Sequence, residues 1–397
     1  VQAQEAAKNA TRYNVTAGIA RKKNKPLRLA AMSGLISGLT EKESVDYAPT
    51  GGLDSLREQW KQGLILKNPG LKNISFSLPL VSAGISHGIF VVSDLFADEN
   101  TTVVIPAPSW ENYSLIFKER WGAEYDEYPF YNSKNGFNID GLRNTISTCR
   151  TDKIICILNF PHNPTGYTPL ADEAWEICHV LRDAAEAGKK MLALCDDAYF
   201  GLFWEKEIFH ESIFALCAEL HPNLLAVKLD GATKEDFAWG LRVGFVTFAG
   251  KGLTEKHLDA ITGKALASIR ASVSSASMAG QQLLLKAMAS PGYMQEKENA
   301  LSDLASRYKA VREFVSLHPH KALYPMGFNS GYFLCMRTAG IDAQVLRRKL
   351  LDDKGIGTVA IGKEFLRVAW SCVDEEDIAP LFTEIWAAAD GLAGTRR

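Results

Sequence analysis

Six short apolar runs, at residues 80–83, 102–105, 154–158, 191–195, 224–229 and 243–248, alternate with segments of helical period such as 171–187. Several of the runs are apolar at consecutive positions rather than at every second one. That pattern suits strands covered on both faces. Strands of this kind alternating with amphipathic helices predict an α/β fold on a largely parallel sheet. Ligands in such sheets bind beyond the carboxyl ends of the strands. The residues directly after each run are therefore the informative ones.

A chain of 397 residues exceeds what one simple core organises, so two domains are expected. Beyond about Ser290 the rhythm changes. Long helical segments at 295–316, 342–353 and 375–389 surround short strands near 332–336 and 365–369. We expect a large domain over 45–300 and a smaller α+β domain made from 1–44 and 301–397. The first forty or so residues are too irregular to fold alone and should pack onto the smaller part.

Composition removes several classes of function. A formal net charge of −2 gives no electrostatic reason to bind nucleic acid or a membrane surface. No apolar stretch is long enough to span a bilayer. The stretch from Val1 to Val15 is polar and lacks a signal peptide's apolar run. A cytoplasmic location is expected. The seven cysteines include no Cys-x-x-Cys pair, and Cys156 and Cys195 lie inside apolar runs, as reduced buried thiols would. Cys178 and His179 are adjacent on a predicted helix and point in different directions, so no metal site is expected.

Five segments carry chemistry. Met191-Leu-Ala-Leu-Cys-Asp-Asp-Ala-Tyr199 brings Asp196, Asp197 and Tyr199 to the end of a buried strand. A buried carboxylate needs a partner. A protonated ring nitrogen on a cofactor would serve, and an acidic loop or a magnesium site would also fit this segment taken alone. Leu229-Asp-Gly-Ala-Thr-Lys234 places a lysine in a turn of small residues, with Arg242 eight positions on. A Schiff-base lysine beside an anion-binding arginine suits a cofactor with an aldehyde and a phosphate. Asn159-Phe-Pro-His-Asn-Pro-Thr-Gly166 forms a rigid loop that can present the Asn163 amide to a ligand oxygen. Pro79 to Gly88 reads as strand, glycine turn and helix start, so Gly84, Ile85 and Ser86 could hold a phosphate. Pro106-Ala-Pro-Ser-Trp-Glu-Asn-Tyr113 puts Trp110 on a loop where a flat ring could stack.

In this order, the segments resemble the fold-type I pyridoxal-phosphate enzymes, and the aspartate-aminotransferase superfamily (class I/II) in particular. The resemblance runs from about Tyr47 to Arg367 and rests on Pro-Ser-Trp-x-Asn, Asn-Pro-Thr-Gly, Asp-x-Ala-Tyr and Lys-x7-Arg. It implies a seven-stranded, mostly parallel sheet with a smaller α+β domain, pyridoxal 5'-phosphate as cofactor, amino acids and 2-oxo acids as substrates, and a homodimer with shared sites. It also implies roles. Lys234 would hold the cofactor and shuttle a proton, and Asp196 would pair with the pyridine nitrogen. Tyr199 and Asn163 would bond the phenolic oxygen, and Trp110 would stack. Gly84, Ile85, Ser86 and Arg242 would cup the phosphate. Tyr47 and Ser274 would approach the neighbouring subunit's phosphate. Arg367 would grip the substrate α-carboxylate, and Arg270 would read a distal carboxylate in an aspartate- or glutamate-like substrate. The segment Met32-Ser33-Gly34 is a candidate lid, with Gly34 as a substrate contact.

Two departures stand out. Gly231 replaces a hydroxyl residue common among relatives, and Glu235 and Asp236 directly follow the lysine. Acids beside a phosphate are unfavourable unless they turn away or meet a cation. Three rival readings remain at this point. The same fold supports β-lyases, decarboxylases and synthases. Gly84-Ile-Ser-His-Gly88 also reads as the nucleophile elbow of an α/β-hydrolase, with Ser86 as nucleophile and His162, His210 or His257 as base. Some chains of this fold are regulatory modules, although those usually carry a fused DNA-binding domain.

Overall fold

The computed structural model describes residues 1–393. Its main sheet has seven strands: β1 (Leu80–Ser82), β2 (Thr101–Ala107), β3 (Glu124–Pro129), β4 (Lys153–Asn159), β5 (Lys190–Asp196), β6 (Leu224–Gly231) and β7 (Gly244–Ala249). They lie in the order β1-β7-β6-β5-β4-β2-β3. The pairings from β6 through β5, β4 and β2 to β3 are parallel. Strand β7 is antiparallel to both of its neighbours.

All residues of β5 after Lys190 are buried, as are all residues of β7 and all but one of β6. This is the two-sided burial that the apolar runs predict. Strand β3 reads Glu-Tyr-Asp-Glu-Tyr-Pro and is absent from the predicted runs. It sits at the edge of the sheet, pairs on one side only and buries one residue, so it carries no continuous apolar signal.

The register puts the strand ends at one level. Asn159 pairs with Asp196, and Asp196 with Leu229. Because β7 runs the other way, it starts where the parallel strands stop. Its first residue, Gly244, faces both Gly231 and Ser82. The turns after β1, β4, β5 and β6 and the turn before β7 therefore converge on one edge.

A second sheet is antiparallel throughout, in the order β8-β9-β11-β10: β8 (Leu323–Pro325), β9 (Phe333–Thr338), β10 (Val359–Ile361) and β11 (Phe365–Ala369). The N-terminal segment joins this part of the chain. Tyr13 and Asn14 pair in parallel with Ile356 and Gly357, and Ala369 N–H donates to the Val15 carbonyl at 2.9 Å. Long helices cover the sheets, among them Ala171–Glu186, Tyr293–Leu317 and Glu375–Ala393. No helix among the described residues is long and apolar enough to cross a membrane. All seven cysteines are free and buried.

Gly166 locks the two sheets together. Its carbonyl accepts Asn329 N–H at 2.9 Å and Ser330 N–H at 3.0 Å. Its φ is +74°, and an added Cβ would lie 2.2 Å from the Phe333 carbonyl oxygen. The left-handed backbone and the contact both exclude a side chain. Gly166→Ala should therefore destabilise the protein by about 2–4 kcal/mol, read as a lower urea midpoint. An unchanged midpoint would show that the junction yields freely.

Candidate active site

The converging turns enclose a cavity of about 390 Å³. Asp196 ends β5 and is 2% exposed. Tyr113 Oη donates to its Oδ2 at 2.5 Å, and Ala198 N–H donates to Oδ1 at 3.1 Å. Burial pushes its pKa up, while Tyr113, Lys234, Ala198 N–H and Lys228 hold it down. The main-chain carbonyl of Asp196 accepts Asn159 Nδ2 at 2.8 Å, and Asn159 Oδ1 accepts Asn163 N–H at 2.8 Å. Asn159 thus ties the end of β4 to the end of β5 and fixes the loop that carries Asn163.

Lys234 lies in the one-turn helix Ala232–Glu235 after β6. Its Nζ sits 4.7 Å from the centre of the Tyr199 ring. Burial lowers its pKa to about 8, with Asp196 opposing that shift and Arg242 adding to it. A fraction of neutral amine, the nucleophilic form, is thus available near neutral pH.

One end of the cavity gathers hydrogen-bond donors. The helix Ile85–Phe96 starts there, with Ser86 in its first turn. Arg242 stands opposite, largely exposed, and spends one hydrogen bond on the Trp239 carbonyl at 3.2 Å. Gly84 has a φ of +83°, and a Cβ there would lie 2.4 Å from Arg242 Nη2. Arg242 itself has a φ of +54°, unusual for a residue with a side chain. Backbone N–H groups, a hydroxyl and a guanidinium meet at this end.

The other end presents Arg367, from β11. Its Nη1 donates to Asn163 Oδ1 at 3.0 Å, its Nη2 bonds the Thr16 carbonyl, and its guanidinium lies 4.7 Å from the centre of the Phe333 ring. Burial lowers its pKa. Trp110 lines the wall and meets Tyr113 edge-on at 5.4 Å.

The sequence-predicted residues Ile85, Ser86, Trp110, Asn163, Asp196, Tyr199, Lys234, Arg242 and Arg367 all line this one cavity. Gly84 sits just before Ile85, against Arg242, and four others lie elsewhere in the chain. Gly34 caps the short helix Ala30–Ser33 and does not line the cavity. Its neighbours Met32 and Ser33 instead line a separate apolar pocket of about 270 Å³. Tyr47 is 84% exposed. Arg270 and Ser274 lie outside the cavity and bond to each other, Nη1 to Oγ, at 3.0 Å.

The structure adds Thr16, Gly18, Tyr113 and Asn159 to the lining. Tyr113 and Asn159 stand inside the quoted motifs, although neither carries a predicted role. Thr16 and Gly18 come from a segment with no periodic signal. A side chain on Gly18 would collide with the Tyr199 hydroxyl.

Glu235 and Asp236 turn out to be partnered. Glu235 Oε1 meets Lys67 Nζ at 2.7 Å and Lys297 Nζ at 3.4 Å. Asp236 Oδ1 meets Lys297 Nζ at 2.8 Å and accepts from the Tyr293 hydroxyl. The hydrolase arrangement is not assembled. His87 bonds Ala83 N–H and Ser272, His162 bonds Thr165, His210 bonds the Lys206 carbonyl and His257 bonds Thr254. No cluster able to hold a metal ion occurs among the described residues.

Residues 25–385 match the family described as "Aminotransferase class I and II". A relative from Sulfurisphaera tokodaii, described as aspartate aminotransferase, is 23% identical over 368 residues, covering 89% of this chain and 83% of that one. Another aspartate aminotransferase, from Geobacillus stearothermophilus, is 28% identical over 222 residues. That match covers 54% of this chain and 50% of the relative. The fold is similar to the crystal structure of an aminotransferase from Anaerococcus prevotii, with a TM-score of 0.87 at 23% identity over 98% of this chain and 94% of that one.

The lowered pKa of Lys234 has a measurable consequence. In cofactor-free protein, acylation of this amine, followed by mass spectrometry against pH, should have its midpoint near the value of about 8. A midpoint at the ordinary lysine value near 10.5 would contradict the described enclosure.

Proposed function

We propose, on the premise that the chain belongs to the class I and II aminotransferases, that it moves the amino group of an L-amino acid to a 2-oxo acid with pyridoxal phosphate held at Lys234. The observation that carries this reading is spatial. An unusually acidic lysine and a buried carboxylate share one cavity, with an anion cradle at one end and a second arginine at the other.

The residues present fit that cofactor. Ser86, the first turn of Ile85–Phe96 and Arg242 supply donors for a phosphate. Asp196 offers a negative charge in a dry site, where a protonated ring nitrogen is the partner that repays its desolvation. Trp110 offers a flat face. Asn163 gives Oδ1 to Arg367, which leaves its NH₂ group for the phenolic oxygen beside Tyr199.

When bound, pyridoxal phosphate supplies an electron sink that lets a proton leave the substrate's Cα. This chain's residues do the rest. Arg367, fixed by Asn163 and the Thr16 carbonyl, would bind the α-carboxylate and so orient the amino acid in the cavity. Lys234, whose lowered pKa leaves part of its amine neutral, would serve as the base that takes the proton from Cα and as the acid that returns it. Asp196 would pair with the ring nitrogen, with Tyr113 and Ala198 N–H holding its carboxylate in place. The phenyl ring of Phe333 and the segment around Thr16 and Gly18 cover the Arg367 end and limit water there.

Arg270 lies outside its own chain's cavity, so we assign it to the neighbouring site of a homodimer, together with Tyr47 and Ser274. There it would meet a distal carboxylate. Two experiments test the reading. Mixing the loaded protein with a panel of amino acids should shift the cofactor's absorbance to that of its amine form for the true donors. A spectrum unmoved by every donor would contradict transamination. Arg270→Ala should lower kcat/KM toward aspartate or glutamate about 10–100-fold more than toward alanine, the loss expected for a charge-assisted hydrogen bond. An equal loss would remove Arg270 from substrate recognition.

A further inference from the structure

Below the cavity floor lies a set of buried charges that the proposed chemistry does not use. Lys228, in β6, is fully buried. Its Nζ contacts Asp197 Oδ2, lies 3.7 Å from Asp230 Oδ2 and sits 4.6 Å from the centre of the Phe200 ring. Asp197 Oδ2 also accepts from Ser212 Oγ at 2.6 Å. Trp60 Nε1 lies 3.2 Å from each oxygen of Asp230. All three charged side chains are therefore partnered away from water.

Packing alone does not call for them. A buried strand position is ordinarily filled by an apolar residue, and a buried ion pair is seldom more stable than an apolar replacement of equal size. The location of the charges is more telling. Asp197 follows Asp196 directly, and its N–H donates to the Leu229 carbonyl at 2.8 Å. Lys228 pairs with Cys195 across the sheet, one step before the pairing of Asp196 with Leu229. Asp196 faces the cavity while Asp197 is held below it. Fixing the second side chain therefore fixes the direction of the first.

We propose that Lys228 is a positioning residue for Asp196: by gripping Asp197 from below, it holds the neighbouring carboxylate aimed at the ring nitrogen. The inference rests on the role proposed above for Asp196. Tyr113, Tyr199, Lys234 and the Ala198 N–H face Asp196 from the cavity side, and Lys228 and Asp197 face it from beneath. Removing the cation alone leaves Asp197 and Asp230 without it, with Asp197 directly beside Asp196. Asp196 then keeps its proton to higher pH.

Two variants carry the test, Lys228→Met and the isosteric, uncharged pair Lys228→Met with Asp197→Asn. In Lys228→Met, kcat should fall roughly tenfold or more with KM for the amino acid within about twofold. The acid limb of its kcat profile should move upward in pH. Pyridoxal phosphate should bind the cofactor-free protein more weakly, as read by quenching of tryptophan fluorescence. The paired variant should regain part of the thermal stability, because only Asp230, still bonded by Trp60 Nε1, then stays buried without the cation, while kcat and cofactor affinity stay low. If Lys228→Met does not fold, the paired variant decides the matter on the same two readouts. Unchanged kcat and affinity in Lys228→Met, or recovery of both together with stability in the pair, would overturn the proposal. Asp196→Asn is the control: if it leaves kcat intact, the assigned role of Asp196 fails, and not the brace beneath it.

Discussion

Placing one buried carboxylate and one buried amine of lowered pKa in the same cavity is the constraint around which this structure is arranged. Asp196 loses water on burial and recovers part of that loss from Tyr113 and the Ala198 N–H. The same burial drives Lys234 toward its neutral form. Each group shifts the other, so their positions cannot be set independently. The register between β5 and β6 sets them together, because both side chains leave the sheet at its carboxyl edge.

The antiparallel β7 has a specific part in this arrangement. A parallel strand in its place would begin at the opposite edge and carry Arg242 away from the cavity. Running backward, it starts beside Ser82 and Gly231 and brings Arg242 against the start of the helix Ile85–Phe96. The cost is local: Arg242 takes up a left-handed backbone, and Gly84 must lack a side chain. Arg367 reaches the same cavity from the second sheet, which Gly166 fastens to the loop carrying Asn163. Arg242 and Arg367 are thus attached to different sheets, and their separation depends on that junction.

What the sequence made legible follows from how each element is buried. Strands covered on both faces leave apolar runs, so β1, β2 and β4 to β7 could be read along with the residues after them. Edge strand β3 could not, because half of it faces water. Asn163, Asp196, Lys234 and Arg242 stood out because each sits just after or just before such a run. Thr16 and Gly18 did not: their segment is shaped by the second sheet and by Arg367, and neither leaves a period in the local sequence. Glu235 and Asp236 looked anomalous beside a phosphate only because Lys67 and Lys297, far away in sequence, could not be placed next to them.

Borohydride reduction of the protein with pyridoxal phosphate, followed by peptide mass spectrometry, tests the central claim most directly. The expected result is a single modified lysine, Lys234, with modification lost in Lys234→Ala. Modification at another lysine, or none at all, would contradict the account.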